Sequence, residues 1–339
     1  MEILLFSHDS KIDIQVYKCI YNETYVIICM RKIQKTRESF FVYLPKKWCD
    51  SNSIKAGTEI DIKPLKSNDL LLSVKKIPPT KKKYTINYDV QKTNIENLLI
   101  GSYIAGIDEV EIVSSKILPP DLVNKVEKIV ESLFEFEITE QKENSIKIED
   151  IFETLAHKQI FERMFQLVAV LIRMASTFEN KEDIIRRDTP IDRHRYTIQR
   201  IMYKALEDVA IQKELGLNVP KCIWLYEFAR ILERVADHVI EIVKMDKMKE
   251  VRSDMKKIEK LFMTLKKLYT KGKISDAIRM INESKGLSQK FIRQIPEKAY
   301  LEHVRRIFDY FSDIGEIVID QEILKTSELS QFQQIRVTK

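Results

Sequence analysis

The sequence predicts a multidomain α+β protein: a small β-rich domain, a compact α+β module, and then a long all-α bundle of two three-helix repeats. Three observations carry this. Residues 31–76 alternate apolar and polar side chains between turn formers. Residues 84–150 mix short apolar runs with helical periodicity, and from Ala156 to Ile323 apolar residues recur almost without interruption at helical spacing.

The elements follow in order. Strand-like runs at Ile3 to Phe6 and Tyr25 to Cys29 lie in an extension over residues 1–29. A second methionine, Met30, stands directly before the strongest strand signal, so this segment reads equally as a packed element or as a non-native addition. Over residues 30–76, a Pro-started helical turn is expected at Pro45 to Asp50. Polar turns are expected at Gly57 and Asn68-Asp69, with a strand in which Ile60 and Ile62 face opposite to Glu59, Asp61 and Lys63. IPPTKKK, Ile77 to Lys83, unites two prolines with a lysine run and reads as a linker.

Within the module at 84–150, helices are expected at Asn94 to Ala105 and Asp121 to Phe134. Strands are expected at Val110 to Val113, Phe136 to Ile138 and Ser145 to Ile148. The bundle spans 151–325, followed by a tail at 326–339. A stripe of Ile160, Met164, Leu167, Leu171 and Ala175 marks its first helix, and breaks near 178–181, 216–220, 247–254, 271–274 and 295–298 divide it into six helices. Two three-helix repeats account for that number.

Composition narrows the function. No apolar run reaches the roughly 18 residues needed to span a bilayer, and MEILLFSH lacks a basic lead, so a cytoplasmic protein without direct membrane insertion is expected. Cys19, Cys29, Cys49 and Cys222 form no CxxC pair, which suits a reducing compartment. Net charge is +6, yet Arg31 to Lys83 holds 14 basic and 5 acidic residues, a local +9 that leaves −3 for the rest. The positive field is therefore concentrated where a polyanion would be met.

The enzyme classes lack their apparatus. No phosphate-binding GxxxxGK[ST], GxGxxG or HExxH is present, and none of His8, His157, His194, His238 and His303 follows a glutamate by three residues, as a di-iron bundle requires. A non-enzymatic protein is expected.

Pro220 to Lys244 separates two faces at 100° per residue. Phe228, Leu232, Val235, Val239 and Ile242 form one; Arg230, Glu233, Asp237 and Glu241 form the other. The acidic stripe admits two readings. It is either a solvated face with short-range arginine pairs, or a set of carboxylates one turn apart that offers oxygen ligands to a hard or borderline cation. Asp188 and Asp192 repeat the spacing on the preceding helix.

The run E-x-x-R-x-x-E-R-x-A-D-H, standing as Glu227, Arg230, Glu233, Arg234, Ala236, Asp237 and His238, resembles the signature helix of PhoU proteins, and Asp188 to Arg200 is similar to the preceding helix of that family. The resemblance implies that Asp188, Asp192, Glu233 and Asp237 occupy its acidic metal motifs, with divalent or iron-type ions as the expected cofactor. Pro190 departs from the pattern; with Thr189 as N-cap, the helix would begin after Asp188 and carry it off the shared face. Arg306, Asp309 and Asp313 echo Arg230, Glu233 and Asp237, but INESKGLSQKF has no D-x-x-x-D pair, so a second metal site is less expected than the first.

RKIQKTRESFFVYLPKKW followed by IKAGTEIDI resembles the SpoVT/AbrB swapped-hairpin family. This implies an intertwined homodimer that binds duplex DNA, with Arg31, Lys32, Lys35, Arg37, Lys46 and Lys47 on phosphates; Arg37-Glu38 stands where relatives often have a glycine pair. The basic residues are also compatible with mere solubility, or the hairpin with dimerisation alone. The order of hairpin, α+β module and bundle resembles archaeal phosphate-uptake regulators. It implies a DNA-binding transcriptional regulator, or alternatively a scaffold acting on a phosphate transporter or its signalling partner without touching DNA.

Overall fold

The computed structural model describes residues 15–21, 24–30, 32–64, 70–74, 81–91, 94–151, 157–177, 180–292 and 298–337. The chain is a mixed α+β protein, mostly helical, with its strands toward the N-terminal side and a helical C-terminal part. It divides into two units, Met1–Thr80 and Lys81–Lys339.

The first unit consists of small antiparallel pairs. β1 (Gln15–Tyr21) pairs with β2 (Thr24–Met30), which carries the expected strand at Tyr25 to Cys29 and adds one before it. The expected strand at Ile3 to Phe6 lies outside the described residues. β3 (Gln34–Thr36) and β4 (Ser39–Phe41) close a two-residue hairpin at Arg37-Glu38. Arg37 adopts φ +45°, the left-handed region that a primed hairpin turn requires and that glycine would meet without strain. α1 (Lys46–Ser51) starts after Pro45, and β5 (Ile60–Pro64) pairs with β6 (Leu70–Val74).

The second unit opens with a four-stranded sheet in the order β7-β8-β10-β9. β7 (Lys83–Asn87) runs parallel to β8 (Glu109–Val113), the connection passing through α2 (Tyr88–Gln91) and α3 (Ile95–Ile104). β9 (Phe136–Gln141) and β10 (Ser145–Asp150) complete it antiparallel. β7 begins at Lys83, the last residue of the expected linker. The following Tyr84, Thr85 and Ile86 favour a strand, and Lys83 Nζ meets Glu109 at 2.9 Å on β8. α3 and α4 (Pro120–Glu131) set Leu99, Tyr103, Val126 and Val130 on Ile86, Val110, Ile112, Ile146 and Ile148, giving the module its own core.

Six long helices follow, joined by two short ones: α5 (His157–Thr177), α6 (Lys181–Ile185), α7 (Asp188–Glu207), α8 (Val209–Leu215), α9 (Val219–Lys244), α10 (Arg252–Lys271), α11 (Ile274–Ile292) and α12 (Tyr300–Val337). Helices α5, α7 and α9 pack on one another, as do α10, α11 and α12; α5 meets α10 and α9 meets α12 across the join. Phe165 and Phe262, ring centroids 4.6 Å apart, bridge the two groups at the centre of the core. Asn218 caps α9 by accepting from the Lys221 amide at 3.0 Å, just before Pro220. α12 continues through the segment expected to be a tail, because neither glycine nor proline follows Gly315 to stop it.

Candidate functional site

The basic residues of the first unit lie on and on either side of its smallest hairpin in sequence. Lys32, Lys35, Lys46 and Lys47 are exposed, and Arg37 is exposed at the β3–β4 turn. Arg31 lies outside the described residues. Lys35 Nζ sits 5.6 Å from the Phe40 ring centre, so its stem lies along an aromatic face while its charge stays in water. Between residues 32 and 62 no side chain is buried, and Ile33 and Phe40 are 72% and 70% exposed.

The acidic residues of the second unit converge where α7 packs on α9. α7 begins at Asp188 itself rather than after Thr189, which corrects the expectation raised by Pro190. Pro190 falls in the first turn, where a missing amide hydrogen leaves no intrahelical bond unmade. Asp188 and Asp192 are therefore one turn apart on one helix, facing Glu233 and Asp237 one turn apart on the other.

Arg195, which the sequence reading passed over, stands among them. Its Nε lies 3.1 Å from Glu233 Oε1 and its guanidinium 3.6 Å from Asp192 Oδ1. The Nε–H is not aligned as a hydrogen bond, so the contact is an ion pair of point charges. Lys244 faces Asp188 and Asp237 from the end of α9, so two cations stand against four carboxylates. Burial, with the charges of Asp237 and Asp192, pushes Glu233 up to about 7, against the opposing pull of Arg195. Asp237 is raised to about 6, first by desolvation and then by Asp188 and Asp192; its own tip is the most exposed of the four. Desolvation also raises Asp188 and Asp192.

The stripe is thus a partly buried carboxylate cluster with raised proton affinity, Asp237 lying at its exposed end. Its donor chemistry suits a hard cation, with Arg195 and Lys244 holding the counter-charge; among the described residues, no group of three or more His, Cys, Asp or Glu is close enough to grip a metal ion as they stand.

The echo on α12 is built differently. Asp309 accepts from Ser288 Oγ of α11 and from Arg305, each at 2.6 Å, and burial raises Asp313. Where α7 contributes Asp192, α11 contributes the small buried Ser284 and Ser288.

Two further clusters join residues whose partners lie far along the chain: Arg200 and His238 stand in the runs quoted above, but their contacts are made with distant elements. Arg200, 3% exposed, donates to the carbonyls of Tyr103 and Ile107 and to Asp150 Oδ2, and Lys204 Nζ meets the same oxygen at 2.6 Å. Through these bonds α7 clamps the sheet module to the bundle. His238 of α9 and His303 of α12 place their Nδ1 atoms 2.8 Å apart, with the Tyr310 ring stacked on His238. Burial first, then His303 and Arg306, depress His238 to about 4, so it is uncharged at neutral pH.

No helix among the described residues is long and apolar enough to cross a membrane. Compared with models of protein families, with curated proteins and with solved structures, the chain has no significant match.

Proposed function

We propose that this chain is a DNA-binding transcriptional regulator of phosphate uptake or metabolism that acts as a homodimer, with its helical bundle as the responsive part. One observation carries the reading. Residues 32–62 bury no side chain and leave Ile33, Phe40, Val42, Tyr43 and Ile62 exposed in the same segment as Lys32, Lys35, Arg37, Lys46 and Lys47. So small a unit gains a core by intertwining with a second copy, and pairing doubles the basic surface offered to phosphates. The link to phosphate physiology is supported by the resemblance of the Glu227 to His238 helix.

The acidic cluster is proposed to take a divalent or iron-type ion on Asp188, Asp192, Glu233 and Asp237. Such an ion relieves the repulsion that raises these carboxylates and frees Arg195. Metal analysis of the protein beside Glu233→Ala with Asp237→Ala tests this: the pair should lose the metal, and the same metal content in both sinks it.

For DNA, fluorescence anisotropy with a duplex over a salt series is decisive. Binding is expected at low salt, and each phosphate-contacting lysine changed to alanine should reduce the logarithmic salt slope by about 1. No binding at low salt, or an unchanged slope with Lys32, Lys35, Lys46 and Lys47 all alanine, overturns the reading in favour of a scaffold that contacts a transporter or signalling protein.

A further inference from the structure

We propose that His238 and His303 form a second cation site, a two-imidazole clip for a borderline transition-metal ion such as Ni2+ or Cu2+, fastening α9 of one three-helix group to α12 of the other. The two Nδ1 atoms face each other at 2.8 Å. Two nitrogens that each bind one ion at about 2.0–2.1 Å with a right angle between them lie about 2.9 Å apart. The pair already has that separation, so binding needs no change in the spacing of α9 and α12, only a turn of each ring by about half a right angle, from its partner nitrogen to the ion.

In the resting pair one imidazole carries its proton on Nδ1 and donates it to the other. When the ion binds, that proton moves to Nε2, and both rings ligate as neutral imidazoles with no net proton released.

The scaffold holds the rings for this task. Both stand on long helices beside fully buried neighbours, Val239 on α9 and Val304 and Ile307 on α12, and Tyr310 stacks on His238 with its centroid 5.7 Å away. The charges facing the pair are mixed: Glu241 of α9 draws a cation in, Glu302 of α12 does so less because Arg305 already pairs with it, and Arg306 of α12 opposes it. Since no third His, Cys, Asp or Glu among the described residues completes the set, water or an exchangeable ligand takes the remaining positions. Imidazole nitrogen selects such ions over Mg2+ and Ca2+, which prefer oxygen.

Packing alone does not call for the pair. The motif shared by α9 and α12 is offset by 76 residues, from Arg230 to Arg306 and from Asp237 to Asp313. The same offset carries His238 to the buried Ile314 and His303 back to Glu227. The corresponding positions thus do without imidazoles. The clip is also distinct from the acidic cluster, because Asp237 couples to Asp188 and Asp192 of α7 whereas His238 meets α12.

The test is calorimetric titration of the untagged full-length protein with Ni2+. Beside any Ni2+ taken by the acidic cluster, a saturable site is expected that is indifferent to excess Mg2+, weakened more than about tenfold by His303→Ala and by His238→Gln, and retained as the one site in Asp192→Asn with Glu233→Gln. Cu2+ added to the same protein should show hyperfine coupling to two nitrogens. The proposal falls if Ni2+ binds equally well to both histidine variants, if it is lost with the carboxylates and kept without the histidines, or if the wild type binds none. Should a variant fail to fold by circular dichroism, the Cu2+ spectrum of the wild type decides, and absence of two-nitrogen coupling overturns the clip. Failure here leaves the acidic-cluster and DNA readings standing, since those depend on other residues.

Discussion

Arg195 is shared by more carboxylates than it can satisfy, and the excess appears as proton affinity on Glu233. The folded state holds that carboxyl near 7, whereas an unfolded glutamate titrates near 4.5. Between those values the folded protein binds more protons than the unfolded one, so the group's contribution is complete below about pH 4.5 and is lost as pH rises toward 7. Asp237 adds a smaller loss between 3.8 and about 6. Glu233→Gln keeps the shape and removes the titration. The variant is expected to match the wild type at pH 4.5 and to exceed it at pH 8 by on the order of 2 kcal/mol, read from urea unfolding at the two pH values. Lower stability of the variant at pH 8 would mean that the Arg195 pair outweighs the desolvation. The sequence indicated the four acids through their spacing on two helices. It did not indicate Arg195, because an arginine three residues after an aspartate is an unremarkable helical neighbour until the facing helix is known.

At the scale of elements, the decisive contact is α7 against the sheet module. Asp150 ends β10 and receives both Arg200 and Lys204, so Asp150→Ala would leave the almost wholly buried Arg200 without its carboxylate and Lys204 with only Asp108 at 3.4 Å. A loss of about 3–5 kcal/mol is expected by urea unfolding, and a change below about 1 kcal/mol would show that water can replace the carboxylate. A second contact tests how closely α11 and α12 approach. A Cβ on Gly315 would lie 2.7 Å from Ile281 Cγ1, so Gly315→Ala should cost about 1–3 kcal/mol and Ile281→Val should restore part of it. Helices were readable because a stripe such as Met164, Leu167, Leu171 and Ala175 is a local property, and these four are buried. Their docking was not, because Arg200 and Lys204 look like any charged face until a strand end 50 residues away arrives beside them. β7 was hidden for a related reason: its first letter belongs to a lysine run, and its pairing with β8 is made across a helical crossover.

For the whole molecule, the uneven division of burial between the two units predicts association. The second unit has two well-filled cores, whereas residues 32–62 of the first bury nothing and expose Ile33, Phe40, Val42, Tyr43 and Ile62. The proposed intertwining with a second copy would cover these side chains. Sedimentation velocity of the full-length protein should therefore give twice the 40.0 kDa chain mass. Phe40→Asp with Ile33→Asp puts charges into that surface while leaving the lysines in place, so the protein should sediment as a monomer and bind duplex DNA more weakly, at least about tenfold, with an unchanged far-ultraviolet helical spectrum. The local charge of +9 is kept at +7 in this variant, which separates the effect of pairing from the effect of charge when it is compared with a control carrying two acidic substitutions at the exposed Thr36 and Ser39. If that control loses as much DNA affinity as the apolar variant, or if the wild type sediments as a monomer while binding DNA, the strand unit works as a single copy and its exposed aromatic residues face the nucleic acid instead.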